Sequence, residues 1–324
     1  MALIDVHNHF YPPAYIDAIR TGPSAVRVTS DDAGNPCLHY PGDTNVCVPG
    51  HRDIDYREEV LEREGVDLQV LTLTTPGTHV ERPARAVELA RMVNDAFATI
   101  ARDRARFTAL ATLPLNDPGA SAAELERAVR ELGLAGAMVF SNVNGVPLAD
   151  DRFLPLWERA DDLGAIIHIH PTDPVGVEAM TEFWLMPLVG FLMDTTLAAA
   201  HLVFRGIPRR FPNIRWVLAH LGGAIPYLAE RLDRGYHAFP DCRAHIERPP
   251  SDYLRSFFYD GVNFDPAALR LALAFAGPGQ ILAGSDYPHQ IGSIPRMRET
   301  IASLPARQRA AMSGGNAARL YGSG

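Results

Sequence analysis

The chain has 324 residues, and single domains of alternating strands and helices reach about 250 residues, so its length does not demand two domains. Hydrophobic residues make up 47% and charged residues 21%, an ordinary globular composition in which a core forms without disulfides. The net charge of −8 argues against a nucleic-acid partner, because nucleic acids are bound by clusters of basic residues.

Every one of the 30 basic residues is an arginine, because the sequence contains no lysine. This composition excludes several kinds of chemistry that depend on a lysine side chain. They are a Schiff base with a carbonyl substrate, the attachment of pyridoxal phosphate and phosphate binding by a P-loop lysine. A carboxylated lysine that bridges two metal ions is excluded as well.

The three cysteines, Cys37, Cys47 and Cys242, show no C-x-x-C spacing, and their odd number favours free thiols in a reducing, cytoplasmic setting. The first residues lead directly into the apolar segment Leu3–Val6, without the basic and long apolar regions of a signal peptide. The longest apolar stretch, Phe183–Phe204, is interrupted by polar residues and a proline, so no membrane span is expected.

Short apolar segments alternate with segments of helical periodicity along the chain. The predicted strands are Leu3–Val6, Val66–Leu73, Phe107–Thr112, Gly136–Phe140, Ala165–His170, Ile214–Ala219, Phe257–Tyr259 and Ile281–Gly284. The predicted helices are Glu58–Glu64, Pro83–Arg104, Pro118–Leu132, Arg152–Leu163, Val177–Arg205, Ala224–Arg234, Pro266–Phe275, Pro295–Ser303 and Pro305–Ser313.

Most of these strands are continuous apolar runs, which is typical of parallel strands covered on both faces. Eight strands, each followed by helical sequence, favour an α/β fold that closes into a (β/α)8 barrel, the TIM barrel. We expect one domain over residues 1–324. Residues 21–55, rich in glycine, proline and aspartate, are expected to form an inserted loop or small cap after the first strand.

The side chains with metal-binding or acid–base chemistry follow the predicted strands. They are His7 and His9 after the first strand, His168 and His170 in the fifth, His220 after the sixth and Asp286 after the eighth. Alternate residues of a strand point the same way, and barrel enzymes carry their catalytic groups at the carboxyl ends of the strands. Three of these imidazoles together with the carboxylate would suit one divalent metal ion. Zinc is the expected ion, and manganese is the alternative.

Four motifs surround these residues. They are Ile4-Asp5-Val6-His7-Asn8-His9-Phe10, Ile169-His170-Pro171, Ala219-His220-Leu221-Gly222-Gly223-Ala224-Ile225-Pro226 and Gly284-Ser285-Asp286-Tyr287-Pro288. Together they resemble the amidohydrolase superfamily. In detail they are similar to its branch of aminocarboxymuconate semialdehyde, γ-resorcylate and 6-methylsalicylate decarboxylases. The resemblance extends over nearly the whole chain.

The resemblance implies a role for each residue of these motifs. His7, His9, His170 and Asp286 match the metal ligands; His220 matches the histidine that handles a proton, and Asp286 can also act as acid or base. His168 then lies beside the site or in the core. His289, three residues after Asp286, is expected at the surface or beside the metal.

Further residues are weaker candidates for substrate binding. The resemblance implies that Arg231 grips the substrate carboxylate of the neighbouring subunit in a homodimer; a solvated helix arginine is the alternative. Arg52 in the insertion is a candidate second carboxylate clamp, although the insertion does not match the family cleanly. Phe183, Trp184 and Phe191 are expected to pack in the core, with the wall of a substrate pocket as the alternative for them.

The function that these features predict is the metal-dependent, non-oxidative decarboxylation of an aromatic or unsaturated carboxylic acid, such as a salicylate, a resorcylate or a muconate. A metal-dependent hydrolase or hydratase is the first alternative, in which His220 would take a proton from the attacking water. A metal-binding barrel that serves a partner without catalysis is the second. Carbon dioxide release, water addition or neither would distinguish the three.

Overall fold

The computed structural model describes residues 2–40 and 43–322. Eight parallel strands surround its centre, and we number them β1 to β8 in chain order. They are β1 (Ile4–Asp5), β2 (Leu68–Leu71), β3 (Phe107–Ala109), β4 (Gly136–Phe140), β5 (Ile166–His170), β6 (Arg215–Leu218), β7 (Phe258–Asp260) and β8 (Ile281–Leu282). Strands β1 to β3 pair in one sheet and strands β4 to β8 in a second.

Short bridges join the two sheets at both seams. Between β3 and β4, Ala111 pairs with Ala137 in parallel, and its N–H donates to the carbonyl of Gly136 at 2.9 Å. Between β8 and β1, Asn8 pairs with Tyr287 in parallel just beyond both strands. The eight strands therefore follow the order of a TIM barrel, as the sequence predicts. At the two seams, single bridges replace the longer runs of paired residues found between the other strands.

Helices separate the strands and cover the outside of the barrel. The longer ones are Pro13–Thr21, Ile54–Glu64, Pro83–Asp103, Pro118–Arg130, Leu154–Asp162, Phe191–Phe204, Ile225–Ala238, Pro266–Ala276, Ile294–Ala302 and Asn316–Tyr321. Shorter helices are Pro49–Arg52, Ile207–Arg210, Pro250–Leu254 and Ala306–Ala310. Asp117 caps the helix Pro118–Arg130, since its carboxylate accepts from the N–H of Ala120 at 3.0 Å. Every residue of β4 and β5 is buried, as expected for strands covered on both faces.

The inserted segment after β1 contains a sheet that the sequence does not predict. Strands Arg27–Ser30, Pro36–Tyr40 and Asp43–Val46 pair in antiparallel fashion, with Val28 opposite Leu38. The helices Pro13–Thr21 and Pro49–Arg52 flank this sheet. The role of residues 21–55 as a cap stays a prediction.

After β5, a π-helical turn at Met186–Gly190 continues directly into the helix Phe191–Phe204. Residues 186–204 have a mean hydropathy of 1.5, and 44% of the most apolar stretch is buried. By length and composition this one helix could cross a membrane, but core helices of globular proteins have the same properties. Leu188, Val189, Met193 and Leu197 are its exposed apolar residues.

Candidate metal centre

Buried histidines converge at the carboxyl ends of the strands. The ring of His7 lies 5.0 Å from that of His9, 5.2 Å from His170 and 4.9 Å from His220, measured between centroids. Asp286 joins them from beyond β8: its Oδ1 lies 3.1 Å from Nε2 of His9 and 3.4 Å from Nε2 of His7. The two Nε2 atoms of His7 and His9 are themselves 3.2 Å apart. The structure thus brings together the predicted ligands and His220.

The second ring nitrogen of each predicted histidine ligand is already engaged. Nδ1 of His7 lies 2.7 Å from Asp260, and Nδ1 of His170 lies 2.8 Å from the carbonyl of Pro171. Nδ1 of His9 lies 3.2 Å from the hydroxyl of Thr72, whose own proton goes to the carbonyl of Asn8. These acceptors favour the tautomer with the proton on Nδ1, so the Nε2 lone pairs face the centre.

This donor set fits a divalent metal ion. Bonds of about 2.0–2.1 Å to a tetrahedral zinc ion separate neighbouring donor atoms by roughly 3.4 Å. The separations among His7, His9 and Asp286, 3.1–3.4 Å, agree with that geometry. Donor atoms of His7, His170, His220 and Asp286 also lie within 4.8 Å of one another. The site therefore suits nitrogen and carboxylate coordination with room for a further ligand.

Asp260, the last residue of β7, contacts several residues of this centre and orients them. Its carboxylate contacts Nδ1 of His7 and Nε2 of His168, the latter at 3.1 Å, and accepts from the backbone N–H of His220 at 2.9 Å. Burial opposes the protonation of His7, but Asp260 and then Asp286 outweigh it and raise the pKa of His7 to about 10. A divalent ion in place of that proton would neutralise the same two carboxylates.

His220 is held in an unusual backbone conformation after β6. His220 and Leu221 have φ values of 55° and 54°, in the left-handed region. Gly223 follows with φ of 61° and approaches the carbonyl of Leu192, so closely that a Cβ atom there would lie 2.0 Å from that oxygen. Nδ1 of His220 has no hydrogen-bond partner among the described residues, and burial lowers the pKa of His220 to about 4. This imidazole is therefore neutral, and its protonated form would readily give up the proton.

The candidate substrate-binding residues are placed differently. The ring of Phe191 lies 6.3 Å from that of His170, beside the predicted ligands. Trp184 is 69% exposed and Phe183 is 78% exposed, so the expectation that these two side chains pack in the core is wrong. Both have positive φ, which turns the chain outward at this point. Whether Trp184 contacts substrate stays a prediction.

The two candidate arginines are not part of the cluster. Nε of Arg52 donates to the carbonyl of Cys47 at 3.0 Å, and its guanidinium reaches Asn35 at 3.3 Å. Its donors are thus partly used within the insertion. Arg231 is exposed on the helix Ile225–Ala238 and forms no ion pair with the described part of the chain. Their roles as carboxylate clamps stay predictions.

Two further residues of the site, Asp260 and His51, are not among the predicted ones, and His289 lies beside the predicted ligands, one of the two places expected for it. Asp260 ends β7 as His170 ends β5, so its place after an apolar strand is a signal for it. The ring of His289 lies 4.8 Å from His9, beside the predicted ligands. His51 lies 5.0 Å beyond His289 and comes from the insertion, where no strand pattern marks it.

The chain is similar in sequence to known proteins. The family model described as "Amidohydrolase" matches residues 4–323. A 2-amino-3-carboxymuconate-6-semialdehyde decarboxylase of Dictyostelium discoideum is 34% identical over 83% of this chain and 77% of its own length. A 6-methylsalicylic acid decarboxylase of Penicillium expansum is 30% identical over 89% of this chain and 86% of its own length.

A solved structure is similar over its full length as well. It is a dihydroxybenzoic acid decarboxylase from Polaromonas sp., with bound manganese and the inhibitor 2-nitroresorcinol. It is 26% identical and has a TM-score of 0.82, and the match covers 99% of this chain and 97% of that one. From the match along residues 4–323 and the identity to these relatives, the chain belongs to the amidohydrolase family.

Proposed function

We propose that this protein is a metal-dependent decarboxylase that removes carbon dioxide from an aromatic or unsaturated carboxylic acid without oxidation. The observation that carries the proposal is the buried convergence of His7, His9, His170 and Asp286 beside His220, whose Nδ1 has no hydrogen-bond partner among the described residues. The relatives named above are decarboxylases of such acids. Salicylate-like, resorcylate-like and muconate-like acids are therefore the substrate class.

The ion would be held by His7, His9, His170 and Asp286, and when bound it supplies a Lewis acid for the substrate oxygens. His220 and Asp286 manage the proton. One proton, which His220 takes up from solvent, passes by way of Asp286 to the carbon that carries the carboxylate. The bond from that carbon to the carboxylate then breaks, and carbon dioxide leaves. General acid–base assistance of this kind contributes about 10²–10⁴-fold in rate.

Several features of the pocket suit a planar acid. Phe191 offers an aromatic edge beside His170, against which a flat ring can pack. Burial lowers the pKa of His220 to about 4, so a proton that it takes up is readily passed on. The side chains of the site are buried, and exclusion of water strengthens the electrostatic interactions within it.

For the metal, zinc suits three imidazoles and one carboxylate, and manganese is the alternative that the Polaromonas structure contains. We propose a cytoplasmic location for the protein. The free thiols of Cys37, Cys47 and Cys242 support it, since such thiols are typical of a reducing compartment.

We also include a homodimer in the proposal. Tyr227 and Arg231 are both exposed on the helix Ile225–Ala238, four residues apart and so on one face. Phe183 and Trp184 add exposed aromatic surface, and exposed apolar area of this kind marks contact surfaces. A twofold partner that covers this surface would bring a second Arg231 towards the site.

The test is a substrate screen on purified protein of known metal content. Salicylate, dihydroxybenzoates and muconate-type acids are incubated with the zinc and manganese forms, and carbon dioxide release and product are measured together. Carbon dioxide with the matching phenol or decarboxylated acid supports the proposal. Addition of water to lactones, amides or alkenes, with no carbon dioxide from any acid, would replace it by a hydrolase or hydratase.

A further inference from the structure

His51 is the most poorly satisfied buried imidazole in the described part of the chain. Its side chain lies in the short helix Pro49–Arg52 and is only 2% exposed. Neither Nδ1 nor Nε2 has a hydrogen-bond partner among the described residues. A buried polar atom without a partner costs about 1–3 kcal/mol, so such an arrangement needs a reason.

The ring of His51 lies at the end of a row that starts at the metal centre. The ring of His289 is 4.8 Å from His9, and the ring of His51 is 5.0 Å from His289 on its far side. His289 is half-buried, and His51 beyond it is buried from solvent. A flat molecule bound at the metal and lying along this row would meet His51 with its distal edge.

The backbone around His51 is fixed by a buried arginine. Nε and Nη2 of Arg57 donate to the carbonyl of Gly50 at 2.9 and 2.7 Å. Nη1 of the same guanidinium donates to the side chain of Asn8, between the predicted ligands of β1, at 2.8 Å. The carbonyl of His51 also accepts from the N–H of Tyr11 at 2.7 Å. The insertion therefore holds this imidazole rigidly relative to His7 and His9, which is how binding groups are positioned.

The chemistry of His51 suits a hydroxyl group better than a second carboxylate. Burial, followed by His289 and Arg57, lowers the pKa of His51 well below its ordinary value, so the ring is neutral. A neutral imidazole offers one donor and one acceptor, and a hydroxyl can pair with either. A carboxylate can only accept, and it would favour a cation. Both nitrogens of His51 are free for such a contact.

We propose that His51 is a substrate-binding residue that forms a hydrogen bond with a second ring hydroxyl of the acid, remote from the oxygens held at the metal. This inference rests on the proposed decarboxylase function and narrows its substrate class to acids with at least two ring hydroxyls. A site built to pair a hydroxyl discriminates strongly against the analogue that lacks it, because its own polar group is then left unpaired.

The test compares substrates that differ by one hydroxyl in variants that differ at one side chain. Wild type, His51→Leu and His51→Asn are assayed with salicylate and with each isomeric dihydroxybenzoate. For the acid whose hydroxyl meets His51, we expect kcat/KM to fall about tenfold to a hundredfold in His51→Leu, with partial recovery in His51→Asn. For salicylate, we expect a change below about threefold. His39→Leu is the matched control, since His39 is in the same insertion and bonds only Thr29 and Thr44 there.

The inference is wrong if His51→Leu changes all the acids equally, or none of them, in protein that keeps its fold and its metal. If the wild type decarboxylates none of the acids, the proposed function fails separately. In that case the affinities of the metal-loaded variants for 2-nitroresorcinol and 2-nitrophenol, measured by calorimetry, still test His51. Equal affinity losses for both compounds would overturn the role of His51, and a loss for 2-nitroresorcinol alone would support it.

Discussion

The carboxylate of Asp260 lies 2.7 Å from Nδ1 of His7, and both side chains are buried from solvent. The same carboxylate holds the backbone N–H of His220 at 2.9 Å. One residue at the end of β7 thus orients a predicted metal ligand and positions the loop that carries the predicted proton carrier. Outer partners of this kind set both the tautomer and the basicity of a ligating histidine.

The first prediction concerns Asp260→Asn. The carboxylate of Asp260 accepts from His7 and from the N–H of His220 with a full negative charge, which an amide lacks. We therefore expect metal affinity to fall about 10–100-fold, and kcat to fall with it. Calorimetric titration of the chelator-treated protein with zinc or manganese measures the affinity. Asp265→Asn is the control, because Asp265 caps the next helix and asparagine caps equally well. Unchanged metal affinity in Asp260→Asn would remove Asp260 from the site.

The second prediction is one divalent ion per chain. The donor set converges on one point, and without lysine no carboxylated bridge can hold a second ion. Elemental analysis should approach one equivalent. Removing the metal should lower Tm, because a ligand at a hundred times its Kd stabilises the fold by about 2.7 kcal/mol. Two equivalents in a bridged pair would contradict this prediction.

Much of the barrel is predictable from the sequence, because each strand is marked by an apolar pattern within its own few residues. Gly136–Phe140 is predicted to the residue, since a short continuous apolar run that ends at a polar residue is typical of a strand covered on both faces. The candidate ligands follow from the same signals, because His7, His170 and Asp286 stand at strand ends that one edge of a barrel must bring together.

The rest depends on contacts that no local pattern records. The antiparallel sheet of the insertion is fixed by pairings such as Val28 with Leu38, in a stretch with few apolar residues. His51 is placed by Arg57, whose own partners include Asn8, just after β1, and Gln69 of β2. Trp184 is exposed at a turn where its φ is positive. An aromatic residue in a sequence predicts neither this backbone conformation nor the exposure.

The third prediction separates the roles of His220 and Asp286. His220→Ala should lower kcat by about 10²–10⁴-fold and leave most of the bound metal in place, because His220 is proposed to carry a proton. Asp286→Ala should lose both activity and metal. Metal content and kcat are measured on the same preparations. A folded His220→Ala protein without metal would assign His220 to the ligands instead, a possibility that its position near His7 and His170 makes worth testing.

The fourth prediction is a pH dependence of stability due to Asp194. Burial raises the pKa of Asp194 to about 6, although Ser141, Thr172 and Asn142 donate to it and oppose the shift. The folded state therefore binds the proton more tightly than the unfolded state. The resulting stabilisation is complete below about pH 4 and is lost as the pH rises through 6.

Asp194→Asn tests this pH dependence, because asparagine keeps the shape of the residue without titrating. From pH 4 to 7 we expect the free energy of unfolding of the wild type to fall relative to this variant by roughly 1–3 kcal/mol. Urea unfolding at several pH values measures it, with the exposed Asp162→Asn as the control. A constant difference between Asp194→Asn and the wild type across this range would show that Asp194 titrates normally.

The last prediction is a homodimer in which Arg231 serves the site of the neighbouring subunit. Arg231 is exposed, lies on the outer helix Ile225–Ala238 and has no ion-pair partner in the described residues. Its planar guanidinium suits bidentate binding of a carboxylate, and a twofold interface would supply two such contacts. Arg231→Ala should raise KM for the acid by about tenfold to a hundredfold and leave metal content unchanged. Arg130→Ala, on the helix Pro118–Arg130 and also exposed, is the control.

Mixing two variants, assayed at a substrate concentration far below the raised KM of Arg231→Ala so that each alone is nearly inactive, tests the sharing of sites directly. In a mixed dimer of Arg231→Ala and His220→Ala chains, both lesions fall on one site if Arg231 acts across the interface, and the other site is whole. Random exchange of equal amounts should then restore about one quarter of wild-type activity. If Arg231 acts within its own chain, every site in the mixture carries one lesion and nothing is restored. A monomer by light scattering at assay concentration, or no recovery after demonstrated subunit exchange, would exclude the shared site.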